Sequence, residues 1–188
     1  MANFTPAVIN YKMYVGDEDY LGIAQITLPT LNFMTQEVKG AGIAGAVVIA
    51  LIGQMNSMQV QVQMMTLSEQ GIKLAKHEVQ TWEFREVQQT VDGTTGAHKA
   101  VSVKHVMRVF PTSMDGGTLQ PQSTSNPNIT AQVYSWVEYR DGVKVLELDP
   151  FNYICYIDGN DYSKQVREAL GMAEGSGGGS DGDGGDAS

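Results

Sequence analysis

The sequence predicts a mainly β fold, a β-sandwich or small barrel with long hairpins and one or two short flanking α-helices. Three observations predict it. Most of the chain alternates apolar and polar residues with period two, as a strand with one buried and one wet face does. Turn residues punctuate the runs, above all Asp141-Gly142 and the stretch Asp92 to Gly96. Only two short stretches, opening at Ser68 and Ser163, read as helices.

The first strand is expected over Val8 to Val15, followed by an acidic turn at Asp17-Glu18-Asp19. A second runs from Tyr20 to Leu28 and stops at Pro29, which has no N–H for a ladder. Lys39 to Gly45 reads KGAGIAG. Gly40, Gly42 and Gly45 precede no Lys-Ser or Lys-Thr, so this is no phosphate loop but a turn or a close contact between subunits. Ala41 to Gly53 is the most apolar run. It is too short to span a bilayer as a helix, which takes roughly 20 apolar residues, and reads as a loop followed by a buried or interface strand.

Met55 to Thr66 has the cleanest alternation. Met58, Val60, Val62 and Met64 share a face fit for a core, and Gln59, Gln61 and Gln63 share a neutral, polar one. Ser68 is a good cap for a short helix reaching about Ala75. Trp82 to Val91 and Lys99 to Phe110 read as a hairpin, with Val101, Val103, Met107 and Val109 on one face and His105 among them. Pro111 to Asn128 has the composition of a loop. Ile129 to Arg140 and Val143 to Leu148 flank Asp141-Gly142, and Phe151 to Ile157 continues as a strand after Pro150. Ser163 to Leu170 is an amphipathic helix stopped by Gly171. These elements make one domain over residues 1–172. Residues 173–188 hold seven glycines and almost nothing apolar, too little to repay ordering, and are expected to be a flexible acidic tail.

Composition narrows the function. The net charge is -9, and -5 once the four carboxylates of the tail are set aside. No basic stripe suggests a surface for gripping nucleic acid. The single cysteine, Cys155, precludes an internal disulfide and a cysteine-rich metal site. The start of the chain shows neither the basic nor the apolar region of a secretory leader. His77, His98 and His105 lack metal-ligand spacing, and Glu83, Glu86, Glu138 and Glu147 sit in alternating strand patterns where a solvated face or a cross-strand ion pair accounts for them. No catalytic residue, metal or cofactor is indicated. Long two-faced hairpins instead leave edges that a second copy must cover.

In order and spacing the chain resembles the major tail tube family of contractile-tailed phages and phage-tail-like particles. Four stretches carry the likeness: VINYKMYVGDEDYLGIAQITLPTLNF, VKGAGIAG, GQMNSMQVQVQMMT, and VYSWVEYRDGVKVLELDPFNYICYIDGNDY with the helix SKQVREALGM after it. The resemblance implies a sandwich or small barrel with a flanking helix. It also implies six copies to a ring, and rings stacked into a tube inside a sheath. The implied partners are further copies of the chain and the sheath, tape-measure, baseplate and tail-terminator proteins. The implied location is a virion tail assembled in the host cytoplasm, with no membrane anchor. DNA would pass without being specifically bound, along Gln59, Gln61 and Gln63. The alternatives are a tube of a contractile bacteriocin or secretion system carrying no genome, and a β-sandwich binding module. The last needs an exposed aromatic platform, for which Trp82 and Trp136 are the candidates.

Overall fold

The computed structural model describes residues 3–16, 18–20, 22–40 and 42–172. The expected tail, 173–188, lies outside the described residues. Twelve strands and two helices alternate in the described part: β1 Asn3–Val15, β2 Glu18–Tyr20, β3 Ile23–Thr27, β4 Phe33–Val38, β5 Val47–Met55, β6 Met58–Met64, α1 Glu69–Leu74, β7 Gln80–Asp92, β8 His98–Asp115, β9 Asn128–Arg140, β10 Val143–Asp149, β11 Ile154–Ile157, β12 Asn160–Asp161 and α2 Lys164–Ala169.

Ten strands join in one sheet ordered β12-β11-β10-β9-β8-β7-β1-β2, antiparallel throughout. β9 forks it. Its second half pairs with β10, while Asn128 to Val133 pair with β6, which in turn pairs with β3. The register shift between Arg108 and Val109 lies at this fork, where an extra residue on β9 bends the long β8–β9 hairpin. The result is two walls. One is β3, β6 and the adjoining halves of β8 and β9; the other is β2, β1, β7, β8, β9 and β10. Between them lie Met13, Met58, Val60, Val62, Trp82, Phe84, Met107, Val109, Ile129 and Leu148, all buried.

Several boundaries differ from expectation, each for a local reason. The run Tyr20 to Leu28 is two strands, because Gly22 turns at φ 77°. Met55 to Thr66 is likewise broken: Met55 ends β5, and Asn56-Ser57 separates it from β6. β8 runs five residues past Phe110 into the expected loop. Pro111 fits there because the ladder shifts register between Pro111 and Ser113, so its missing N–H leaves no partner unserved. The expected strand from Phe151 starts only at Ile154. Asp149 Oδ1 instead accepts from the backbone N–H of Phe151 (3.0 Å) and Asn152 (3.1 Å) and holds a turn. Asp141 and Gly142, at φ 46° and 82°, make the expected tight hairpin.

The two helix caps behave differently. Ser68 Oγ accepts from Gly71 N (3.2 Å), as a cap should. Ser163 opens α2 without capping it. Fully buried, it turns its hydroxyl to the Gly53 carbonyl (3.4 Å), tying α2 to β5. A Cβ on Gly53 would meet that hydroxyl at 2.1 Å, so only glycine allows this approach.

Candidate subunit interface

β4 and β5 stand apart from the large sheet as a two-stranded ribbon. Leu31 and Met55 at its base pack against the core, and Asn56 N–H donates to the Asn32 carbonyl (2.8 Å). Beyond the base the ribbon is exposed and apolar. Along β5, Val48 (66% exposed) points one way and Val47 and Ile49 point the other, and Ile52 (63%) is exposed beyond the last regular pair at Ala50. Ile49 is opposite Gln36 and Val48 opposite Glu37, so β4 does not cover them. The expected buried or interface strand is therefore wet on both faces in the single subunit. An isolated two-stranded ribbon is marginal in water. Each Val or Ile left exposed also forgoes roughly 1.5–3 kcal/mol of burial. A contiguous apolar patch of this kind marks a contact surface.

The ribbon's connecting loop carries Gly40, Gly42 and Gly45. Gly42 and Gly45 take φ of 92° and 129°, and a Cβ at any of the three would meet nothing within 4 Å. Glycine is thus required by backbone conformation at 42 and 45, not by crowding within the subunit.

The first wall is neutral. Met58, Val60, Val62 and Met64 are buried, Gln59 and Gln61 are exposed, and Gln63 is half-buried. Each glutamine faces another uncharged polar residue across the ladder: Gln59 opposite Gln132, Gln61 between Thr27 and Thr130, and Gln63 between Gln25 and Asn128. A depression of about 330 Å³ opens among them, with Asp115 the one charged group lining it. The sequence shows the glutamines on one strand. Only the pairing shows that β3 and β9 extend them into an amide and hydroxyl surface.

The second wall is charged. Cross-strand pairs set Lys12 beside Arg85, Arg85 beside Lys104, Lys104 beside Tyr139, and Tyr139 beside Lys144. Like charges placed opposite one another repel, and acids in the neighbouring rows offset this. Asp19 takes Lys12 (2.8 Å), Glu83 takes Arg85 and Lys104 (3.7 Å to the latter), and Glu147 takes Lys144 (2.6 Å). The Glu147 bond raises the Lys144 pKa above its usual value. The Arg85 guanidinium also lies over Tyr14 (4.8 Å), and Lys104 Nζ near Tyr139 (5.4 Å). The sequence shows the individual charges but not this ladder, because the ladder depends on register between strands far apart in the chain.

Cys155 is fully buried, and burial pushes its thiol pKa up, away from a reactive thiolate. Among the described residues no three His, Cys, Asp or Glu side chains cluster to hold a metal, and no helix is long and apolar enough to cross a membrane. Trp82 (0% exposed) and Trp136 (8%) are core residues, so neither offers the platform a binding module would need.

A family model described as phage tail tube protein FII matches residues 6–171. A search of curated proteins finds no match. Among solved structures, the chain is similar to a sheath/tube terminator of an extracellular contractile injection system in the extended state. Identity is 14%, the match covers 72% of this chain and 97% of that one, and the TM-score is 0.48. It is also similar to a chain of the sheath-tube complex of an extracellular contractile injection system (14% identity, 69% and 87% covered, TM-score 0.47). The cap that terminates the tube of an anti-feeding prophage gives the same four values.

Proposed function

The chain belongs to the phage tail tube protein family, matched over residues 6–171, and from that membership we propose that it is the inner-tube subunit of a contractile tail, with six copies to a ring and rings stacked into a conduit. The family is a structural one and not an enzyme family. The observation that carries the reading is the ribbon β4–β5: its apolar faces call for neighbouring copies on both sides, which a closed and stacked assembly provides. The Gly40, Gly42 and Gly45 loop at its tip then makes contact with a neighbouring subunit.

The two walls suit the inside and the outside of such a tube. The neutral wall, with Gln59, Gln61 and Gln63, lines the lumen, and the charged wall faces the sheath. Passing cargo is then held only weakly, since a surface without cations releases no counterions from DNA. Tape-measure, baseplate and terminator proteins complete the set of partners, within a virion tail. Residues 1–172 make up the assembling domain, and 173–188 are dispensable to it.

Negative-stain microscopy of the purified protein across a concentration series tests this. The full chain and a chain ending at Met172 are both expected to form rings or stacked tubes. Monomers alone at every concentration would reject the assembly, and tubes from the full chain only would reject the division at 172. For cargo, a mobility-shift assay at physiological salt should show no binding at micromolar protein, because the residues up to 172 carry a net charge of -5. Micromolar affinity with a steep salt slope would mean that a basic surface lines the path instead.

A further inference from the structure

His105 is 3% exposed, on the core face of β8 beside Val103 and Met107. Register sets it between Phe84 of β7 and Glu138 of β9, with Glu86 and Arg140 two residues further along those strands and on the same face. These groups close a ring. Arg140 Nε donates to Glu138 Oε1 (2.7 Å), Arg140 Nη1 donates to Gln88 Oε1 (3.3 Å), and Gln88 Nε2 donates to Glu86. Glu86 Oε1 stands 3.9 Å from His105 Nε2, and Glu138 Oε2 stands 3.6 Å from Nδ1.

The ring lies on the inner face of the second wall, on β7, β8 and β9. A cavity of about 190 Å³ separates Glu86 and His105 from Val8 and Tyr11 of β1 and from Ile26 and Leu28 at β3. β3 presents only aliphatic groups there. From β1, Tyr11 spends its hydroxyl on the Ala24 carbonyl (2.8 Å). The charged groups around the imidazole are therefore Glu86, Glu138 and Arg140.

Hydrogen bonding fixes the protonation state. The Trp136 indole N–H donates to His105 Nδ1 (3.4 Å), which requires that nitrogen to be bare. The imidazole is neutral, its proton on Nε2, where no hydrogen-bond partner is in reach. A second proton on Nδ1 would break the Trp136 bond, turn Nδ1 into a donor toward Glu138, and strand the indole N–H in the core. A buried unpaired donor and a buried charge both cost stability.

We propose that the ring around His105 is an acid-sensitive latch that ties β7, β8 and β9 together on the inner face of the second wall, closed by the neutral imidazole and released by its protonation. This stands independently of the tube reading. Burial, which outweighs the pull of Glu138 and Glu86, holds the imidazole pKa below 6.5. The unfolded chain takes up the proton near pH 6.5 and the folded chain only at lower pH. Between those two values the unfolded state binds more protons, so stability is complete above pH 6.5 and falls as pH drops through the window.

The test follows tryptophan emission and the thermal midpoint of the full chain between pH 7.5 and 5.0. A protonated imidazole against an indole quenches its emission. Emission should fall with a midpoint below pH 6.5, and the thermal midpoint should drop by about 2–4 °C or more. His105→Gln should flatten both curves, while His77→Gln and His98→Gln leave them unchanged. Flat wild-type curves, or an unaltered response in His105→Gln, would overturn the latch. If His105→Gln does not fold, Glu138→Gln decides. Removing the acceptor of the protonated form should move the emission midpoint to lower pH, and an unmoved midpoint would reject the proposal.

Discussion

Val62→Lys is expected to abolish the folded subunit, while Gln61→Lys, one position away, leaves it folded. Val62 is fully buried, flanked across the ladder by Ile26 and Ile129. Both cross-strand partners are aliphatic, so an ammonium there is an unpaired buried charge. Such a charge costs several kcal/mol, against a total stability of about 5–15 kcal/mol for a domain. Gln61 is exposed between Thr27 and Thr130, where a substitution shifts stability by roughly 0.5 kcal/mol or less. Thermal melts and gel filtration of the two purified variants compare them directly. If Gln61 lines the conduit as proposed, Gln61→Lys tubes should also retain DNA in a salt-dependent way that wild-type tubes do not. A folded Val62→Lys beside an unfolded Gln61→Lys would mean that β6 faces the other way.

The pattern of β6 was legible because each of its side chains meets one environment. Its period-two alternation therefore reports burial directly. The hairpin at Asp141-Gly142 was legible because its left-handed turn restricts the residues that fit. Features set by distant partners were not legible. Ser163 reads as a cap from its neighbours, yet its hydroxyl is claimed by Gly53, 110 residues earlier. Pro111 opens a stretch with the composition of a loop, yet β8 continues through it because an extra residue on β8 shifts the ladder between Pro111 and Ser113. The same holds for the surfaces. The glutamines of β6 are visible in the sequence, but Gln25, Asn128 and Gln132 join them only through pairing. The cation row from Lys12 to Lys144 exists only once five strands are in register. The sequence places His105 among the apolar residues of its strand, as a packed core or hairpin histidine. That describes its burial but not the carboxylates on either side, which β7 and β9 supply.

The double substitution Val48→Asp with Ile52→Asp is expected to leave a folded, soluble subunit that no longer assembles. Both side chains are about two-thirds exposed on β5. Neither packs against the core, so aspartates there remove no buried contact and stay solvated. The thermal midpoint of the single subunit should change by no more than about 2–4 °C, the response of a chain of this length to 1 kcal/mol. Assembly should respond far more strongly. Covering each apolar side chain contributes roughly 1.5–3 kcal/mol, and the variant replaces that gain with two carboxylates that an apolar contact would have to desolvate. The loss repeats at every copy, so even a few kcal/mol per subunit is enough to prevent a stacked assembly. Sedimentation and negative-stain microscopy at the wild-type tube-forming concentration measure it. Single subunits that melt like the parent, with no rings or tubes, are the expected result. Tubes indistinguishable from wild type would show that this part of the ribbon is not a subunit contact, and a collapsed melting temperature would show that it packs within its own subunit.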